Sequence, residues 1–108
     1  MATTQIILDS NGSREVSFTP ESSANEAIDF NNDGTKLYVL SSTSDKIYEH
    51  TLSTPYDIST ETYNSVYYDM IAGPAVGGTI TGMAWASDGF HFYFSVDEEE
   101  TIYQIDII

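Results

Sequence analysis

Apolar and polar residues alternate with a period of two along nearly the whole chain. That is the pattern of half-buried β-strands, whose successive side chains point to opposite faces. The cleanest run is Lys-Ile-Tyr-Glu-His-Thr-Leu at 46–52. Runs at 27–30 and 36–40 flank Asn31-Asn32-Asp33-Gly34, where Asp-Gly supplies the positive φ that a tight hairpin needs. The pattern predicts three consecutive strands, joined by this turn and by a small polar loop at 41–45. A polar connection at 53–62, holding Pro55, leads to a fourth strand at 63–69, and a Gly-rich link at 72–78 follows.

The same plan then recurs. Residues 28–52 align with 83–107 without a gap, at a constant offset of 55 positions. Asp33, Gly34, Tyr38, Ile47 and Tyr48 are matched by Asp88, Gly89, Tyr93, Ile102 and Tyr103, and Phe30 is replaced by Trp85. The second unit therefore predicts strands at 82–85, 91–96 and 101–107, with the turn at 87–89 and a loop at 97–100. Its fourth strand is missing. The segment Arg-Glu-Val-Ser-Phe-Thr at 14–19 precedes the first unit much as 64–69 precedes the second, and it reads as that strand displaced to the other end of the chain.

Four-stranded meanders that repeat are the unit of β-propellers, and such units bury their apolar faces only against neighbours. The expected fold is all-β, with two propeller blades per chain: repeat 1 at about 24–69, repeat 2 at about 79–108, and an N-terminal arm at 1–13. Two blades fall short of the roughly four to eight that close a propeller, so closure by oligomerisation is expected, most simply as a six-bladed homotrimer. Exchange of the 14–19 strand between protomers would cover the sheet edge that is otherwise left open.

Composition narrows the function. The chain has 108 residues, three basic side chains (Arg14, Lys36, Lys46) and a net charge of −14, which opposes binding to nucleic acid or to an anionic membrane. It has no cysteine, so neither disulfide nor thiol chemistry is available. The first thirteen residues hold no basic region and only the short apolar run Ile6-Ile7-Leu8, so they do not read as a signal peptide, and no stretch approaches a membrane span.

The pattern F-x-x-D-G-x-x-L-Y-V followed by D-x-I-Y-x-x-x-L, carried by Phe30 to Leu52, resembles the YVTN/lactonase-like class of β-propeller repeats. The longer stretch at 30–60 is similar to repeats of aquatic bacteriophage proteins, many of them virion-surface components. The resemblance implies a structural role as a capsid decoration (cement) or tail component, with a viral capsid or tail protein as partner. The alternative it leaves open is a sugar-binding propeller for host adhesion. The chain carries far fewer blades than the lactonase class, and no enzymatic site is transferred; an enzyme is not expected.

Candidate residues follow. Ile6, Ile7 and Leu8 have no counterpart in the repeat and are the expected anchor to a partner. Asp97, Glu98, Glu99 and Glu100 form the densest charge run; it reads as a solvated hairpin tip on a docking face, with Ca2+ or Mg2+ binding by clustered carboxylates as the alternative. Trp85 and Tyr93 are the candidates for a glycan platform, against the simpler reading of Trp85 as packing between units. Asp29-x-Asn31-x-Asp33-Gly34 opens like a calcium loop, but position 12 of that loop falls on Leu40, so it reads as a turn. His50 and His91 have no triad or zinc spacing and read as strand residues, and no cofactor is expected.

Overall fold

The computed structural model describes residues 13–16, 25–70 and 78–107. Within them the chain is all-β apart from one short 3-10 helix, and its strands form two antiparallel meanders. The first sheet has the order β1 (Asn25–Phe30), β2 (Lys36–Ser41), β3 (Lys46–Leu52), β4 (Glu61–Asp69). The second has the order β5 (Ile80–Trp85), β6 (His91–Val96), β7 (Thr101–Asp106). β1, β4 and β5 each start two residues before the sequence pattern predicts, where polar or glycine residues hide the alternation.

The 55-residue offset persists in the backbone. β1 carries a bulge between Asn25 and Ala27, and β5 carries one between Ile80 and Gly82. Each hairpin closes with the same bonds: Gly34 N–H donates to Asn31 O as Gly89 does to Ala86 O, and Leu52 N–H to Thr35 O as Ile107 does to Phe90 O. Gly34 and Gly89 have φ of 75° and 77°, the left-handed region in which a side chain is strained. The acid before each glycine locks the turn: Asp33 Oδ1 accepts from Thr35 N–H at 3.0 Å, and Asp88 Oδ1 from Phe90 N–H at 2.8 Å. The Thr35 hydroxyl, 2.6 Å from Asp33 Oδ1, and then the Thr35 N–H stabilise the charge of Asp33, and the Phe90 N–H that of Asp88, so both carboxyls titrate below the ordinary range.

The two sheets pack face to face. Leu40 and Ile47 of the first sheet meet Ile80, Phe92, Phe94 and Val96 of the second, with Met70 filling the space beside them. All are nearly or fully buried, and cutting either phenylalanine to alanine costs about 3–5 kcal/mol in such a core. The opposite face of the first sheet holds a smaller cluster of Leu37, Val39 and Leu52, covered by Val16, Phe30 and Ile58. Of the predicted strand at 14–19, the described part, Arg14 to Val16, pairs with no strand; Arg14 Nε lies 3.5 Å from Asp57 Oδ1. Residues 17–19 lie outside the described residues.

Asp57 also organises the connection before β4. Its Oδ1 accepts from the Ser59 hydroxyl at 2.6 Å and from Ser59 N–H, capping the 3-10 helix Ile58–Thr60, and these bonds lower its pKa below the usual value. The pattern of polar residues there predicts only a loop. In β4 the pairing with β3 slips between Glu49 and His50, leaving Asn64 and Ser65 as extra residues, Ser65 at φ 58°.

Candidate functional site: a cleft between the sheets and an open groove

Alternation along β2 and β6 decides which side chains meet between the sheets. Tyr38 and Leu40 point from the first sheet toward the second, and Phe92, Phe94 and Val96 point back. At the inner end, β1 and β5 lie side by side. There Asp29 makes a connection that joins the two units: its Oδ1 accepts from Phe30 N–H at 2.8 Å, and its Oδ2 from Trp85 N–H at 2.6 Å. Phe30 and Trp85 are equivalent positions of the repeat, so one carboxylate spans the two units at matching points. Asn32 adds a weaker link, Nδ2 to Ser87 O at 3.3 Å.

Trp85 fills the junction. Its ring stacks on Tyr38, centroids 4.2 Å apart and planes 20° apart, and on Phe92 at 5.0 Å and 23°. Toward the rim the sheets part into a cleft of about 310 Å³, lined by Tyr38, Glu49, Val66, Tyr67, Tyr68 and Trp85 among others. Glu49 is the one carboxylate of this lining. Lys36 Nζ donates to its Oε2 at 3.1 Å and Asn64 Nδ2 at 2.8 Å. Burial, and then the charge of Glu49, push the Tyr38 phenol well above its ordinary pKa, so it is a neutral hydrogen-bond donor at any physiological pH. The half-exposed Tyr67 ring turns to the opposite face of the sheet, beside Tyr48, with Lys46 Nζ 4.4 Å from its centre.

The second sheet has a different outer face. Because β6 alternates, Tyr93 points away from the junction that Phe92 and Phe94 fill. With Gly82, Ala84, Ser95 and Ile102 it lines a shallow groove of about 210 Å³. Ile102 is 74% exposed there, the most exposed of the large apolar side chains described.

The expected site residues fall as follows. Trp85 and Tyr93 lie on opposite faces of the second sheet, so they form no common platform, and the Trp85 ring is stacked on protein rings. Asp97, Glu98, Glu99 and Glu100 form the β6–β7 turn, but their side chains diverge. Glu98 turns back to accept from Thr79 N–H, which lowers its pKa, and Glu99 Oε1 accepts from Tyr103 OH at 2.7 Å. Among the described residues, no three His, Asp or Glu side chains gather as a metal site. The calcium-loop residues are spent on structure: Asn31 accepts from Lys36 N–H at 2.9 Å, and Asp33 and Asp29 hold the bonds given above. His50 is buried with Nδ1 2.7 Å from Glu61 Oε2, while half-exposed His91 lies 2.9 Å from Asp88 Oδ2. Ile6, Ile7 and Leu8 lie outside the described residues.

Sequence reasoning missed the Glu49 cleft and the role of Asp29. The signal for Asp29 was present: its aligned position in the second unit is Ala84, so the carboxylate is not part of the shared plan of the repeat. No helix among the described residues is long and apolar enough to cross a membrane. Comparison with protein-family models, with curated proteins and with solved structures finds no match in any of the three.

Proposed function

We propose that this protein is a non-enzymatic structural subunit whose copies close head to tail into a β-propeller, a homotrimer of six blades. Its place would be the surface of a bacteriophage virion, as a capsid decoration or tail component. In this reading the arm with Ile6, Ile7 and Leu8, and the acidic turn from Asp97 to Glu100, meet the capsid or tail protein.

The observation that carries the proposal is the open edge of the second sheet. β3 is paired on both sides, with β2 and β4; its counterpart β7 has only β6 among the described residues. A bare edge of that length is a template for another strand. The segment at 14–19 of a neighbouring protomer suits it, since Arg14–Val16 pair with no strand of their own chain. The test is the solution mass of the purified chain by light scattering. About three times the 11.9 kDa protomer supports the ring; a monomer at micromolar concentration refutes it. Labelling virions with an antibody raised to the chain then tests the location.

A second reading, sugar binding for host adhesion, draws on the cleft in which Tyr38 and Tyr68 sit near Glu49. A glycan array showing no signal that depends on Tyr68 would remove it.

A further inference from the structure

The two sheets present the same positions of the repeat in two different states. On the first sheet, Ala27, Tyr38, Leu40 and Ile47 are covered by the second sheet. Their counterparts 55 positions later are Gly82, Tyr93, Ser95 and Ile102, and these line the open groove. The groove is thus the equivalent of the face by which the first unit holds the second, and nothing among the described residues is seated on it. Every residue lining it is uncharged, in a chain of net charge −14.

From this equivalence we infer that the groove at Gly82, Ala84, Tyr93, Ser95 and Ile102 is the docking site for the first sheet of a second copy of this chain. The inference rests on the ring reading above and specifies its contact. Within the chain, Tyr38 stacks on Trp85. Across the proposed contact, Tyr93 takes the place of Tyr38, and Phe30 of the second copy takes the place of Trp85. Ile28, the counterpart of Met83, is 53% exposed, while Leu37 and Val39, the counterparts of Phe92 and Phe94, already lie beneath Val16, Phe30 and Ile58; the second copy therefore meets the groove through Ile28 and Phe30.

Two details fit the same assignment. Ala84 stands where Asp29 stands, so the docked contact lacks the carboxylate bridge. It leaves nothing unpaired, because the Phe30 N–H that would need an acceptor is already bonded to Asp29 of its own chain. Val16 packs on Leu37, Val39 and Leu52, and Val66 lines the cleft with Phe92 and Ile107, the counterparts of Leu37 and Leu52. The segment at Val16 therefore stands to the first sheet as β4 stands to the second, beside the incoming copy.

The experiment compares the solution mass of the full chain with those of Ile102→Asp and Ile102→Lys. At 74% exposure neither substitution disturbs the isolated fold, which far-UV circular dichroism checks. The expected result is a trimer for the parent and folded protomers, one third of that mass, for both variants. A parent trimer with either variant still trimeric overturns the docking face while leaving a ring held by other contacts. The lysine form matters because it reduces the net charge, so its dissociation cannot come from added repulsion. A monomeric parent overturns the ring reading itself and this contact with it.

Discussion

Replacing Asp29 with alanine removes two hydrogen bonds with one stroke. The carboxylate accepts from Phe30 N–H and from Trp85 N–H, and both bonds are partly buried. A hydrogen bond to a charged group contributes about 1.5–3 kcal/mol net, and an orphaned buried N–H costs about 1–3 kcal/mol. The two bonds share one acceptor group and their energies do not add fully. We therefore expect Asp29→Ala to lower stability by about 2–3 kcal/mol, a large share of the roughly 5–15 kcal/mol of an ordinary domain. Asp29→Asn keeps one neutral acceptor and should lose about half as much. The assay is urea unfolding at a fixed protomer concentration, followed by fluorescence of Trp85, the chain's single tryptophan, and by circular dichroism. Hydrogen exchange at the Trp85 amide gives an independent reading: protection should fall roughly 30- to 140-fold, the equivalent of that energy. A loss below about 0.5 kcal/mol with unchanged Trp85 protection would refute the bridge as a stabilising link between the units.

Two further expectations rest on single positions. Gly34 and Gly89 share a positive φ, but a Cβ on Gly34 would fall on the Tyr56 ring, whereas one on Gly89 meets nothing within 4 Å. Gly89→Ala should cost about 1–2 kcal/mol from backbone strain alone; Gly34→Ala should cost at least about 1 kcal/mol more from the collision, and equal losses in denaturant melts would contradict the geometry. Tyr38 has a folded pKa raised above its unfolded value of 10.0, first by burial and then by Glu49. Its contribution is therefore full below pH 10.0 and is lost as pH rises beyond that. Absorbance of tyrosinate across an alkaline titration should show a late, unfolding-linked step that Tyr38→Phe removes.

The strands were legible because polar and apolar residues alternate along most of them, even though the first sheet is covered on both faces. β3 was read to its last residue for that reason. The starts of β1 and β5 were not, because bulges at Asn25/Ala27 and Ile80/Gly82 break the period where the pattern is already thin. The alignment left Trp85 as a glycan platform or as packing between units, and its ring stacks on Tyr38 and Phe92. It could not place the cleft. Glu49 and Tyr68 come together only through the β3–β4 slip, which depends on two extra residues that no alternation records. Nor could it show that Trp85 and Tyr93 face apart, although counting outward from the β5–β6 turn gives that answer once the register is known.

The ends of β7 carry a consequence for how the protein must be handled. Its free edge is bounded by Glu99 and Glu100 before Thr101 and by Asp106 at its close. If two such edges met antiparallel, each strand's final aspartate would lie against the other's glutamates. That mistaken pairing places acid on acid at both ends, whereas an incoming strand carrying a base, such as Arg14, escapes the repulsion. The acids at its ends thus guard an edge that is unpaired among the described residues. The guard is chemical and can be switched off: in buffers acid enough to protonate these side chains, or in salt high enough to screen them, the bare edge is free to propagate into aggregates, and purification and storage belong at neutral pH and moderate ionic strength.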